Sequence, residues 1–479
     1  MNETQPEPVR PRSIAVVGAG FSGMAVAVHL LRQLRVPATI WLVNRTGRFG
    51  RGLAYGTNSR DHLLNVPAGR MGLDPAHESG FIDYLQRCGA PYQASDFVPR
   101  RLYGHYLESE LLAAQTAACR GVELQLVSHA VTSITPSADS GPVQLTLDDG
   151  SELPVDLVAL AFGNLPPETP GLVEPHWRSS GRLIEDPWAR QALQAVAPGD
   201  ALLLLGTGLT AFDVVTDLLD RGHSGPLYML SRRGLMPQRH RQQETAPAAR
   251  LVPDDFLASS GSVRAAMRAV RKLIRAAEAA GHDWRDVIGG LRPHTPRLWQ
   301  QLDGPQRAQF LRHVRPIWEV HRHRAAPEIH ARLDAAVHRG QLVQLAGRLV
   351  DGGHHAAQQW QVSYRPRGST QARALAVDWI VNCTGPSGNL LRSTDPLVRQ
   401  LLASGQLQPD PLSQGLRVGA GGGLLDTQGR ASEHLFYVGP LLKADLWEAT
   451  AVPELRRHAK ALAERLTARL SLPDVVPPG

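Results

Sequence analysis

The sequence predicts an α/β protein made of two Rossmann-like dinucleotide-binding domains, one inserted in the other, with an added helical insertion. Three observations lead there. Ser13-Ile-Ala-Val-Val-Gly18-Ala-Gly20-Phe-Ser-Gly23 and Leu202-Leu-Leu-Leu-Gly206-Thr-Gly208-Leu-Thr-Ala211 each set spaced glycines after a short apolar run. Each is followed by an apolar stretch free of Gly and Pro, the pattern of a strand, a tight turn and a helix. Downstream of each comes another strand ending in glycine, Asp156–Asn164 and Val377–Pro386.

The 479 residues are enough for two or three domains. The net charge of +7 is spread along the chain and interleaved with acids, which reads as a solvated surface and argues against nucleic acid as a partner. The three cysteines, Cys88, Cys119 and Cys383, are far apart, which excludes a close redox pair and zinc-ligand spacing; no metal is expected. Residues 1–8 are acidic and proline-bearing, unlike a signal peptide, and the apolar runs are too short to span a bilayer, so no membrane contact and a cytoplasmic location are expected.

In the first fingerprint, Ile14 to Val17 reads as a strand buried on both faces. Gly18 permits the turn, Gly20 lets the backbone approach a pyrophosphate and Gly23 lets strand and helix pack closely. Phe21 and Ser22 then sit where helix amides and dipole face phosphates. The next strand, Thr39 to Val43, ends in Asn44-Arg45, where an acid usually accepts from ribose; Asn44 offers only its carbonyl oxygen.

A glycine-dense stretch follows, Phe49-Gly-Arg51-Gly-Leu-Ala-Tyr-Gly56, then His62-Leu-Leu-Asn65-Val-Pro-Ala-Gly69-Arg-Met-Gly72. With the first fingerprint it resembles a family of FAD/NAD(P)-binding oxidoreductases related to the N-hydroxylating and Baeyer–Villiger-type flavin monooxygenases. The resemblance implies that the loop wraps FAD, with Arg51 near the pyrophosphate and Asn65 near the isoalloxazine ring. It also implies a helix led past the flavin by Phe97–Leu107, with Arg100 or Arg101 touching phosphate or flavin. Adenine would be held by backbone near Val131, and the FAD domain would close at Gly163, where Phe162 replaces the usual Thr. The last flavin element would run through Gly439 to Thr450, ahead of a helix from about Val452 to Leu470.

The second fingerprint ends in Ala211, which suffices where the third small residue only serves packing. A helix from Phe212 to Leu219 follows, with Asp213 and Asp217 on its polar side. Gly206, Gly208, Leu209 and Thr210 would cradle the second pyrophosphate. The next strand ends in Ser231-Arg232-Arg233, donors suited to a 2′-phosphate, which points to NADPH over NADH.

The expected domains are 1–165 for FAD, 166–345 for NAD(P)H with a helical insertion at about 240–340, and 346–479 for the rest of the FAD domain. Within the insertion one helix is expected from Gln306 to about Arg324, with Trp318, His321 and Arg322 sharing a face. Those three and Asn65 are the catalytic candidates.

The expected function is an FAD-dependent oxidoreductase in which NADPH reduces the flavin, in the manner of a monooxygenase hydroxylating a small-molecule substrate with O₂. The chain lacks the F-x-G-x-x-x-H pattern of Baeyer–Villiger relatives. Two alternatives stay open: a reductase or dehydrogenase passing electrons to another acceptor, and a flavin protein with a structural or sensing role.

Overall fold

The computed structural model describes residues 11–471 apart from 58, 137–140, 172, 174, 190, 242–250, 254–255, 257–260 and 357–358. The proline-bearing residues 1–8 and part of the start of the insertion thus lie outside the described residues.

The first fingerprint strand, Arg12–Val17, is central in a six-stranded sheet. It pairs in parallel with Ala38–Val43 on one side and Leu157–Leu160 on the other. Its alternate residues serve different cores. Ile14 and Val16 pack with the helix Phe21–Gln33 and the C-terminal helix Val452–Leu470, and Ala15 and Val17 face the opposite layer. That double burial explains an apolar run without alternation. The opposite layer is capped by a small antiparallel sheet of Val131–Thr135, Val143–Leu147 and Glu152–Val155.

The second fingerprint strand, Leu202–Leu205, lies in a seven-stranded sheet between Leu227–Ser231 and Trp379–Asn382, parallel to both. Its residues also alternate between two cores. Both fingerprint helices start earlier than the apolar runs suggest, at Phe21 and Leu209, because the glycine turn is itself the first helical turn's N-cap.

Two expected boundaries move. The strand Leu342–Ala356 continues the second sheet beside Leu227–Ser231 and runs on into an antiparallel ribbon with Gln359–Pro366 and Arg373–Val377. With Trp379–Asn382 also in that sheet, the chain returns to the first domain after Asn382, not at 346. The helix Pro327–His338 packs Ile329, Leu333 and Ala336 against the core beneath Leu202 and Leu204. It is the ordinary crossover helix of this domain, so the added segment ends near Arg324, not at 340. That segment has its own small core around Val252, Phe256, Ile288 and Leu291.

The expected helix from Gln306 to Arg324 is two helices, Gly304–His313 and Arg315–Arg322. Pro316 explains the break, since it has no N–H for the carbonyl four residues earlier.

Candidate active site

Both fingerprint helices begin with amides that no side chain caps. The N-cap residues are Gly20 and Gly208, and neither helix has a side-chain acceptor at its start. Ser262, Asp283, Asp303 and Asp395 do cap other helices of the chain. Other helices, such as Arg100–Thr116 and Val452–Leu470, also lack a side-chain cap, so the two glycine turns are positive N-termini able to take an anion without being unique in that.

The glycines divide by role. Gly18 has φ +108°, and a Cβ there would lie 2.6 Å from the Ala161 carbonyl oxygen; Gly206, at φ +127°, would meet the Cys383 carbonyl at 2.2 Å. These two are demanded by the fold itself. A Cβ on Gly20 would meet only Gly52 Cα at 3.8 Å, and one on Gly208 would meet nothing within 4 Å. The space in front of them is kept clear. The residues thus fit dinucleotides at both turns.

Around the first turn, Arg51 is held by Glu108 through a bidentate pair, Nε to Oε1 at 2.7 Å and a second N–H to Oε2 at 3.1 Å. Arg101 Nε is buried without a hydrogen-bond partner. Phe21, Ser22 and Gly23 are buried in the first helical turn. Asn44 donates its side-chain amide to Thr46 Oγ1 at 2.9 Å and to the Arg48 carbonyl at 2.6 Å, which orients its oxygen away from the loop. Arg45 pairs with Asp395 at 2.7 Å. Val131 opens the small antiparallel sheet opposite Leu147. Gly163 has open space where a side chain would be. Phe162 packs on Tyr437, whose hydroxyl donates to the Phe162 carbonyl at 3.1 Å. That hydroxyl also leaves Gly439, at φ +152°, no room for a Cβ.

A cavity of about 1370 Å³ lies between the domains. Gly206, Gly208, Leu209, Thr210, Ser231, Arg232 and Arg233 line one end, and Asn164, Pro440, Leu441, Lys443 and Thr450 line the other. Ser231, Arg232 and Arg233 all line the cavity, and two of them also make contacts within the protein. The Ser231 hydroxyl accepts from the Gly234 amide at 3.0 Å and from Thr207 Oγ1 at 2.9 Å, so it shapes the turn. Arg233 donates to the carbonyls of His313 at 3.0 Å and Arg312 at 3.1 Å. Only Arg232 of the pair is exposed.

Trp318 and Arg322 meet at Glu448, Trp318 and His321 line a second, smaller cavity, and none of the three lines the large one. Trp318 Nε1 donates to Glu448 Oε1 at 2.9 Å, and Arg322 Nε lies 2.8 Å from Glu448 Oε2, off the line of its N–H. His321 turns to the edge of Trp284 and bonds the Ile317 carbonyl. The large cavity is met instead by Arg315, Glu319 and His323, four residues apart, facing Lys443. Lys443 Nζ lies 3.3 Å and Arg315 Nε 2.8 Å from Glu319 Oε1. Burial pushes Glu319 up, but Lys443 and Arg315 outweigh it and hold the carboxyl well below its usual range. Burial, seconded by Arg322, lowers His323 to about 4, so it is neutral at neutral pH. The four-residue spacing was visible in the sequence; the side it faced was not.

Buried ion pairs and hydrogen bonds join distant segments, both across the domain junction and within the first domain. Asp213, expected on a polar surface, is buried and pairs with Arg100 at 3.0 Å. Arg100 also donates to the Leu63 carbonyl and lies over Trp188. His240 bonds the Asn65 backbone carbonyl at 3.1 Å, which fixes Asn65 at this junction. Glu454, buried at the start of the last helix, pairs with Arg292 of the insertion. Arg456, also buried, donates to the Arg70 and Gly72 carbonyls and pairs with Glu78.

Known proteins share this fold. Residues 15–165 match the family described as FAD-NAD(P)-binding. An L-aspartate N-monooxygenase (nitrosuccinate-forming) of Streptomyces cremeus is 28% identical over 246 residues; the match spans 43% of this chain and 37% of that protein. Among solved structures, the ornithine hydroxylase of Pseudomonas aeruginosa superposes with a TM-score of 0.63 at 15% identity, covering 96% of this chain and 100% of that one. The ornithine N-hydroxylase of Kutzneria sp. 744 gives 0.64 at 14% identity, also over 96% of this chain and 100% of that one. The chain thus has the fold of the two-dinucleotide-binding flavoproteins.

Proposed function

Because the chain has this fold and its first domain matches the FAD-NAD(P)-binding family, we propose that it is an FAD-dependent, NADPH-consuming monooxygenase that hydroxylates the amino group of a small metabolite. The observation that carries the reading is the shared cavity. It joins the second glycine turn to Pro440, Leu441 and Thr450 of the C-terminal flavin element, so nicotinamide and flavin would meet inside one chamber.

FAD, when bound, supplies hydride acceptance from NADPH and the activation of O₂. The chain's own residues do the rest. The amides of Phe21, Ser22 and Gly23 hold one pyrophosphate and those of Leu209 and Thr210 the other. Arg101 offers its free donor to the first, and Arg51, set by Glu108, stands beside the same loop. The insertion supplies Leu311, Pro316 and Val320 to the wall of the chamber. Arg315, Glu319 and Lys443 present both signs of charge to the chamber beside a neutral His323, and suit a small zwitterionic substrate such as an amino acid. The N-hydroxylating proteins of matching fold, named for ornithine and lysine, and the aspartate N-monooxygenase support that substrate class.

The test is oxygen and NADPH consumption by the purified holoprotein across a panel of amino acids, with hydroxylated product identified by mass spectrometry. An amino acid that accelerates NADPH oxidation and leaves carrying added oxygen supports the proposal. NADPH oxidation that passes electrons to added acceptors and never oxygenates any amine points to a reductase.

A further inference from the structure

We propose that the 2′-phosphate of the dinucleotide is read by a composite arginine site, Arg232 together with Arg348 and Arg365 from the antiparallel ribbon. The inference rests on the NADPH reading above and assigns residues that lie more than a hundred positions from the fingerprint.

Three observations carry it. First, Arg233, the obvious second reader, is engaged with the Arg312 and His313 carbonyls, which leaves Arg232 alone at the strand end. Second, the neighbouring strand brings replacements. Ser231 is in register with Ala346, so Arg232 follows the end of its strand beside Gly347-Arg348, which continue into the ribbon. Arg232, Arg348, Arg365 and Arg367 all line the chamber. Third, Arg348 and Arg365 are direct cross-strand partners. Like charges placed opposite each other destabilise a ribbon. Both side chains are exposed, and among the described residues no carboxylate pairs with either. A dianionic phosphate between them turns the repulsion into charge-assisted hydrogen bonds. Gly347 lets the strands approach there, since a Cβ would lie 2.6 Å from the Arg365 carbonyl oxygen.

The shared chemistry is a phosphomonoester or a free phosphate, and binding separates the two. Adenosine 2′,5′-bisphosphate, adenosine 5′-monophosphate and inorganic phosphate are titrated calorimetrically into the holoprotein and into the Arg348→Ala/Arg365→Ala variant. Thermal melts of both unliganded proteins accompany the titrations. The proposal expects the bisphosphate to weaken about tenfold or more in the variant while the monophosphate changes by less than about twofold. It also expects the variant to melt no lower than the parent, because a repulsive pair has been removed. Equal bisphosphate affinity in both proteins overturns the composite site and leaves the NADPH reading standing. A parent protein that binds neither nucleotide overturns both. Inorganic phosphate binding as tightly as the bisphosphate marks a free-anion site and overturns the nucleotide assignment. If the alanine variant does not fold, Arg348→Gln and Arg365→Gln singly are held to the same outcomes.

Discussion

Arg233 fills the hydrogen-bonding gap that Pro316 opens in the insertion. Pro316 cannot donate to the Arg312 carbonyl, and the Ile317 amide turns to Val314, so the carbonyls of Arg312 and His313 lack helical donors. The Arg233 guanidinium donates to both. An arginine that reads as a phosphate ligand in the sequence is thus a clamp between the nucleotide domain and its insertion.

Separate substitutions of the two arginines should therefore behave differently. Arg233→Ala should weaken NADPH and NADH to the same extent and cost about 1–2 kcal/mol of stability through two lost charged hydrogen bonds. Arg232→Ala should weaken NADPH selectively and leave stability within about 0.5 kcal/mol, as for an exposed side chain. Steady-state KM values for both coenzymes and urea denaturation of each variant check this. A selective loss of NADPH in the Arg233 variant contradicts the clamp.

The glycines should separate in the same way. Gly20→Ala and Gly208→Ala have room for a methyl group in the ligand-free chain, so both variants should fold and each should lose only its own nucleotide. Gly18→Ala and Gly206→Ala place Cβ against backbone at positive φ and should unfold or express poorly. Circular dichroism together with flavin content and nucleotide titration reads both effects. Normal FAD content in Gly20→Ala would show that the open space there serves something else.

The junction at Arg100 and Asp213 should be strongly coupled. Both are largely buried, so Arg100→Ala leaves a carboxylate without its partner and should cost roughly 3–5 kcal/mol. Adding Asp213→Asn removes the orphaned charge and should recover part of that loss. Denaturant titrations of the single and double variants give the coupling energy, and additive losses would mean that the pair is incidental.

Acid should destabilise the fold earlier than carboxylate titration alone would. Burial, the largest cause in each case, lowers His29 and His323 to about 4 and His240 to about 3, from 6.5. The unfolded chain then binds protons that the folded chain refuses. Stability is full above about pH 6.5 and falls as pH drops toward 4, by up to about 1.4 kcal/mol per pH unit for each histidine. Unfolding free energies measured across that window should show the slope, and His323→Gln should reduce it by about one proton. An unchanged slope in that variant would place His323 in contact with solvent.

Much of the fold was legible because local chemistry determines it. Leu202 to Leu205 can be apolar throughout only if both faces are buried, and Gly18 and Gly206 are forced by backbone approaching backbone. What escaped depends on tertiary direction. Trp318 and Arg322 look like a ligand face by spacing, yet the helix turns them to Glu448 and gives Arg315, Glu319 and His323 to the chamber. Asp213 looks like a surface acid until Arg100 arrives from the other domain. The return to the first domain was placed at 346 because nothing local marks Leu342–Ala356 as a strand of the second sheet.

In the proposed reaction electrons pass from NADPH to a flavin held in this chain, through the chamber that joins the second glycine turn to the C-terminal flavin element. The most direct measurement is anaerobic rapid mixing of the purified holoprotein with NADPH or NADH, following the visible absorbance of bound flavin. Stoichiometric FAD, rapid loss of that absorbance with NADPH and slower loss with NADH are expected. A protein that carries no flavin, or whose flavin NADPH leaves oxidised, would contradict the proposed reaction.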